Sequence, residues 1–113
     1  MEYDLYQELN SKTRQLDMSI KQLRKSGTDY AEAERDYKVL LRTECLKLRD
    51  EGMAIGLINM TAYGIPEVAA ARFKRDVTQA VYKANLEAIN SIKLQMRLIE
   101  GQLNREWSGN GET

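Results

Sequence analysis

The chain contains no histidine and only one cysteine, Cys45. Imidazole is the usual base near neutral pH and a common metal ligand. A Ser/His or Cys/His nucleophile pair and an imidazole or thiolate metal site are therefore excluded within one copy. A lone thiol forms no intramolecular disulfide, which suits a reducing compartment. Carboxylates holding Mg²⁺ or Mn²⁺ would still serve, but they need a converging acidic cluster. The expectation is a non-enzymatic protein with no catalytic residues, no metal and no cofactor.

Charge of one sign is missing too. Lys+Arg and Asp+Glu are equal at 17 each, so no global field draws the chain to nucleic acid or an anionic membrane. No apolar run approaches the ~20 residues a membrane span needs. The opening MEYDLYQELN is acidic and polar, the pattern of neither a signal nor a transit peptide. A cytoplasmic protein without a membrane partner is expected. With 113 residues there is room for a single domain. Proline occurs once, as Pro66, and alternation of period two never persists, so strands are not expected.

What the chain does have is helical periodicity. From 3 to 51, Leu9, Leu16, Leu23, Tyr30 and Tyr37 recur every seven residues, with Tyr6, Thr13, Ile20, Leu41 and Leu48 at a companion position. Such a stripe is one face of a helix in coiled-coil-like packing. Gly27, Glu34 and Glu44 also fall on it. Within KSGTDYAEAE, Gly27 is placed to end a helix and Thr28 or Asp29 to cap the next, with Glu32 closing a box on Asp29. The seven-residue phase nevertheless runs through this point, so a kink near 26–29 is expected rather than a change of direction.

The segment 66–107 reads as a second long helix of about 40 residues, on the order of 60 Å. Pro66 suits its first turn and Glu67 the positive end of its dipole. Val68, Ala71, Tyr82, Ile89, Ile92, Met96, Ile99 and Leu103 form one stripe. Val77, Val81, Ala84 and Ala88 widen it, and Leu86, Leu94 and Leu98 lie on further faces. One partner helix cannot bury so broad a set, which argues for a homo-oligomer. Residues 108–113 read as a frayed, disordered tail.

Between them, 53–65 turns the chain. Gly52 is a natural stop, AIGLINMTAY is long enough for a short helix with Ile55, Ile58 and Ala62 on one side, and Gly64 ends it. Helix, short helix and glycine turn also outline a DNA-binding helix-turn-helix. In that reading the helix from Pro66 would enter the groove, yet Val68 to Ala71 offer base edges little. A hydrophobic corner, with Ile55, Ile58, Ile65 and Val68 capping a hairpin core, is the better account.

Arg72, Lys74 and Arg75, in RFKR, are the densest positive patch. They are candidate contacts to phosphates or an acidic partner, though Glu67 and Asp76 flank them. The tyrosines could stack on bases, but four lie on helical seams, where packing explains them. Trp107 is a candidate hairpin cap or partner anchor. Cys45 reads as a half-buried small apolar residue.

YAEAERDYK (30–38), LRDEG (48–52), EVAAARFKRD (67–76) and REW (105–107) resemble blocks of a family of small uncharacterised helical proteins encoded by phages and prophages of Gram-positive bacteria. The chain departs from that pattern after Gly52, where a small residue and proline are usual and Met53-Ala54 stands here. The resemblance implies an accessory or regulatory role among early, replication or recombination genes, in a bacterial host cytoplasm. It carries no catalytic residues.

The sequence thus predicts an all-α fold: a long, coiled-coil-like helical hairpin with a short helix at the corner, assembling as a helix-bundle oligomer. Its core and oligomer faces would be Leu9, Leu16, Ile20, Leu23, Tyr37, Leu41, Tyr82, Ile89, Ile92, Met96, Ile99 and Leu103. A phage or host protein is the expected partner, for a factor accessory to or inhibiting replication, recombination or host defence. Nucleic acid bound through the corner and RFKR is the alternative, and a nucleotide-like ligand held by the oligomer a weaker one.

Overall fold

The computed structural model describes residues 2–111, with side chains described for 3–109. Three helices account for nearly all of it: α1 (Glu2–Asp50), α2 (Ile55–Tyr63) and α3 (Pro66–Gly111). α1 and α3 pack as a hairpin with α2 between them, and no strand occurs among the described residues. No described helix is long and apolar enough to cross a membrane. The chain divides into two compact units, 1–24 with 83–113, and 25–82.

The punctuation of the corner is local chemistry. α1 ends in a Schellman motif: Met53 N–H donates to the Leu48 carbonyl (3.1 Å) and Gly52 N–H to that of Arg49 (3.0 Å). This closure needs a left-handed residue, and Gly52 supplies it at φ 88°. Gly64 differs. It ends α2 at φ −83°, a value open to any residue, so its place there is not conformational. Pro66 takes the first position of α3, where a missing N–H is harmless, and Ala69 N–H donates to the Ile65 carbonyl at 2.9 Å.

In the first unit, Leu5, Ile99 and Leu103 form a buried cluster with Leu9 against it. Ile89 is buried, and Leu16, Ile20, Leu23, Ile92 and Met96 are half-buried. In the second unit, Ala33, Tyr37, Ile58, Ala62 and Val68 are buried. Tyr30 stacks on Tyr82 with ring centroids 6.0 Å apart. Tyr37 faces Arg75, seven residues further along α1 and seven back along α3, so the two helices run antiparallel in heptad register.

Several expectations need correcting. The companion position on α1 lies one residue earlier than expected: Leu5, Ser26 and Ala33 are buried, whereas Tyr6 and Thr13 are exposed. Ile20, Leu41 and Leu48 are half-buried beside the seam. The error arose because serine and alanine do not register as core residues. α1 passes unbroken through 26–29. Gly27 is no helix stop there; a Cβ on it would lie 3.4 Å from the Tyr82 ring, so the glycine makes room for that ring.

On α3, Val77, Val81, Ala84 and Ala88 do not widen the buried stripe; all are exposed, as are Leu94 and Leu98. The stripe keeps alternating steps of three and four by running through polar residues instead: Val68, Ala71, Arg75, Thr78 and Tyr82 in one unit, Asn85, Ile89, Ile92, Met96, Ile99 and Leu103 in the other. Ile55 is 86% exposed rather than part of the corner cap, which consists of Ile58, Ala62, Val68 and half-buried Ile65. The expected tail at 108–113 is helical as far as Gly111, and residues 112–113 lie outside the described residues.

Candidate functional site

The second unit holds the features with chemical character, in two groups, one inside the helix–helix seam and one exposed on α2 and α3. The inner group is a polar stretch of the helix–helix seam. Ser26 is buried, and Gly27, Tyr30, Arg75, Thr78, Gln79 and Tyr82 are half-buried. Gln79 Nε2 donates to the Tyr30 hydroxyl at 3.1 Å. The Thr78 hydroxyl bonds back to the Lys74 and Arg75 carbonyls of its own helix, both at 2.9 Å. No buried side-chain polar atom among the described residues lacks a partner. This layer specifies how the helices meet; uniformly apolar seams slide more easily.

The cations expected to grip phosphate are divided by the same geometry. Arg75 lies over the Tyr37 ring at 4.6 Å and binds Asp76 through Nε and Nη2, at 3.0 and 2.8 Å. That hydrogen bond is the main cause of its pKa being raised above the ordinary arginine value, the nearby Asp76 charge adding to it and burial opposing it. Arg72 lies over the Tyr63 ring at 5.6 Å. Lys74 is exposed. RFKR is therefore three separately engaged or separately facing residues rather than one cradle. Trp107, at 74% exposed, caps nothing within its unit.

The exposed group is apolar. α2 buries Ile58 and Ala62 but exposes Leu57, Met60 and Tyr63 on its opposite face, and Phe73 on α3 is 71% exposed. Cys45 is half-buried, its thiol 3.7 Å from Asn59 Oδ1. Among the described residues no cluster of Cys, Asp and Glu is placed to hold a metal. A hollow lined by Ser26, Asp29, Thr78 and Val81 has a volume of about 100 Å³, below the ~300–1,000 Å³ of small-molecule sites. A wider polar depression along Asp4, Gln7, Asn10 and Arg14 is lined by α1 alone. No family model, curated protein or solved structure matches the chain.

Of the residues singled out from sequence, Tyr37, Ile89, Ile99 and Leu103 are buried within their own units. Leu9, Leu16, Ile20, Leu23, Leu41, Tyr82, Ile92 and Met96 are half-buried. These side chains serve the hairpin first. The residues left uncovered are a different set, at the corner and exposed on α3. The sequence carried a signal for them: Leu57, Met60 and Tyr63 follow one another at steps of three in a stretch without charge from 52 to 66.

Proposed function

We propose that the protein is a non-enzymatic protein-interaction factor of the phage type, acting as a helical oligomer in the bacterial cytoplasm. In this reading it is accessory to, or inhibits, a replication, recombination or host-defence protein. One observation carries the proposal: α2 is apolar on both faces, and only the Ile58–Ala62 face is covered by the chain itself. A helix apolar all round is normally buried all round, and burying an exposed Leu or Met is worth about 1.5–3 kcal/mol. The family resemblance supplies the biological setting.

The experiment combines light scattering of the purified protein with affinity capture from phage-infected Gram-positive cells. Each captured protein is then reconstituted from purified components. A complex that forms with wild type and is lost on Met60→Glu is the expected result. A monomer that reconstitutes with nothing overturns the reading.

A further inference from the structure

The two flanks of the seam in the first unit differ in character. On α1, the seam alternates between a column headed by Leu5, with Lys12 and Ser19, and one of Leu9, Leu16 and Leu23. On α3 it alternates between Ile92 with Ile99 and a column of Ile89, Met96 and Leu103. The order of steps, three then four, is the same on both helices. In an antiparallel pair, the residues just after the Leu5 column and just after the Ile92 column therefore border one and the same flank. Those residues are Tyr6, Thr13 and Ile20 on α1, and Lys93 and Glu100, with Leu86 before and Trp107 after them, on α3. The next column outward carries Tyr3, Asn10, Asp17 and Arg24 on α1. On α3 it carries Lys83, Asn90, Arg97 and Asn104.

Every aromatic side chain of the first unit stands on this flank. Tyr3, Tyr6 and Trp107 are 55% to 74% exposed. Arg24, Lys83, Lys93 and Arg97 are exposed there too, and the last three take part in no ion pair among the described residues. Asp17 and Glu100 are the flank's only acids among the described residues. The opposite flank has no aromatic residue, and its charges among the described residues are Asp4, Glu8 and Arg105. Aromatic faces and cations are thus gathered on one side of a chain that is neutral as a whole.

We propose that this flank binds single-stranded nucleic acid, with unpaired bases stacking on Tyr3, Tyr6 and Trp107 and phosphates meeting Arg24, Lys83, Lys93 and Arg97. Stacking platforms beside cations are the chemistry that holds single strands without reading their sequence. A duplex fits less well: its bases are already stacked, and four cations against two acids leave little charge to hold it by phosphate alone. A protein partner fits less well too, because lysine is depleted at such interfaces, and Lys93 and Glu100 stand amid the aromatics here. From Lys83 to Trp107 is about 36 Å along α3, room for roughly ten nucleotides at the ~3.4 Å stacking distance. The inference is independent of the interaction reading above, whose surface lies in the second unit.

The test titrates the full chain at low salt with dT and rU oligomers of about ten nucleotides. Fluorescence of Trp107, the only tryptophan, follows binding, since a stacked base quenches it. Quenching at micromolar concentrations by either oligomer is the expected result, and their ratio tells which sugar the flank prefers. The log–log salt slope should be no steeper than about −3, the value for four phosphate contacts to a single strand. Anisotropy of labelled oligomers then reads the variants. Trp107→Ala or Tyr6→Ala should weaken binding about tenfold, while Tyr6→Phe keeps it. Lys93→Ala with Arg97→Ala should weaken binding and flatten the salt slope by about 1–1.5. Arg105→Ala, on the opposite flank, should leave it unchanged. All these residues are exposed, so helical circular dichroism should stay as in wild type. The proposal is overturned if neither oligomer binds, if a duplex binds as tightly as the single strand, or if the flank variants bind like wild type. A protein complex lost on Trp107→Ala, with neither oligomer bound, overturns it as well and makes the flank a protein-docking site.

Discussion

The guanidinium of Arg75 lies 4.6 Å from the centroid of the Tyr37 ring, and its Nη2 is 2.8 Å from Asp76 Oδ1. Tyr37 is buried, so the cation covers the ring's outer face and joins the seam to solvent. This arginine belongs to the structure of the hairpin. Arg75→Ala should destabilise the protein by about 1 kcal/mol, the size of a partly exposed cation–π contact. Urea unfolding followed by circular dichroism measures it, and Arg75→Lys should recover only part of the loss.

The Tyr30 hydroxyl accepts from Gln79 Nε2 within a half-buried seam. Tyr30→Phe keeps the stack on Tyr82 but leaves the Gln79 donor without its partner. The expected cost is about 0.5–1.5 kcal/mol. The double variant Tyr30→Phe/Gln79→Leu should cost less than the sum of the singles, a non-additivity that a mutant cycle reads directly.

Gly52 and Gly56 should respond oppositely to alanine. Gly52 holds φ 88° in the Schellman closure, so Gly52→Ala should cost about 1–2 kcal/mol through left-handed strain. Gly56 lies inside α2 with open space where a Cβ would go. Gly56→Ala should stabilise by about 0.5–1 kcal/mol. Thermal melts of the two variants, compared with wild type, give both signs.

Val68 is fully buried at the corner. Val68→Ala removes two methyl groups from a packed site and should cost about 1–3 kcal/mol. Phe73→Ala, five residues on and exposed, should change monomer stability by no more than about 0.5 kcal/mol. Chemical denaturation at a protein concentration too low for association separates the two.

The hairpin was legible because its signals are strong and local. Leu9, Leu16, Leu23, Tyr30 and Tyr37 hold their phase, Gly52 stands where a left-handed residue is required, and Pro66 opens a helix. The seam's own composition was harder to read. Ser26, Thr78 and Gln79 look like surface residues until a partner helix and satisfying hydrogen bonds are in place. Gly27 resembled a helix end because glycine ends helices often, whereas its use here is to admit the Tyr82 ring. The uncovered face could not be separated from the covered one by hydrophobicity, since Val77 and Val81 are as apolar as Val68. Only the direction in which α1 approaches α3 distinguishes them.

Trp107 is the chain's one tryptophan and is 74% exposed. Its indole is therefore already in water while the protein is folded, so its fluorescence should shift little when the hairpin melts. A blue shift on mixing with another molecule would report contact at that end of α3. The six tyrosines, with Tyr30 stacked on Tyr82 and Tyr37 beneath Arg75, carry the complementary signal through near-ultraviolet dichroism. Folding and docking can thus be watched separately in one sample, without attaching a dye.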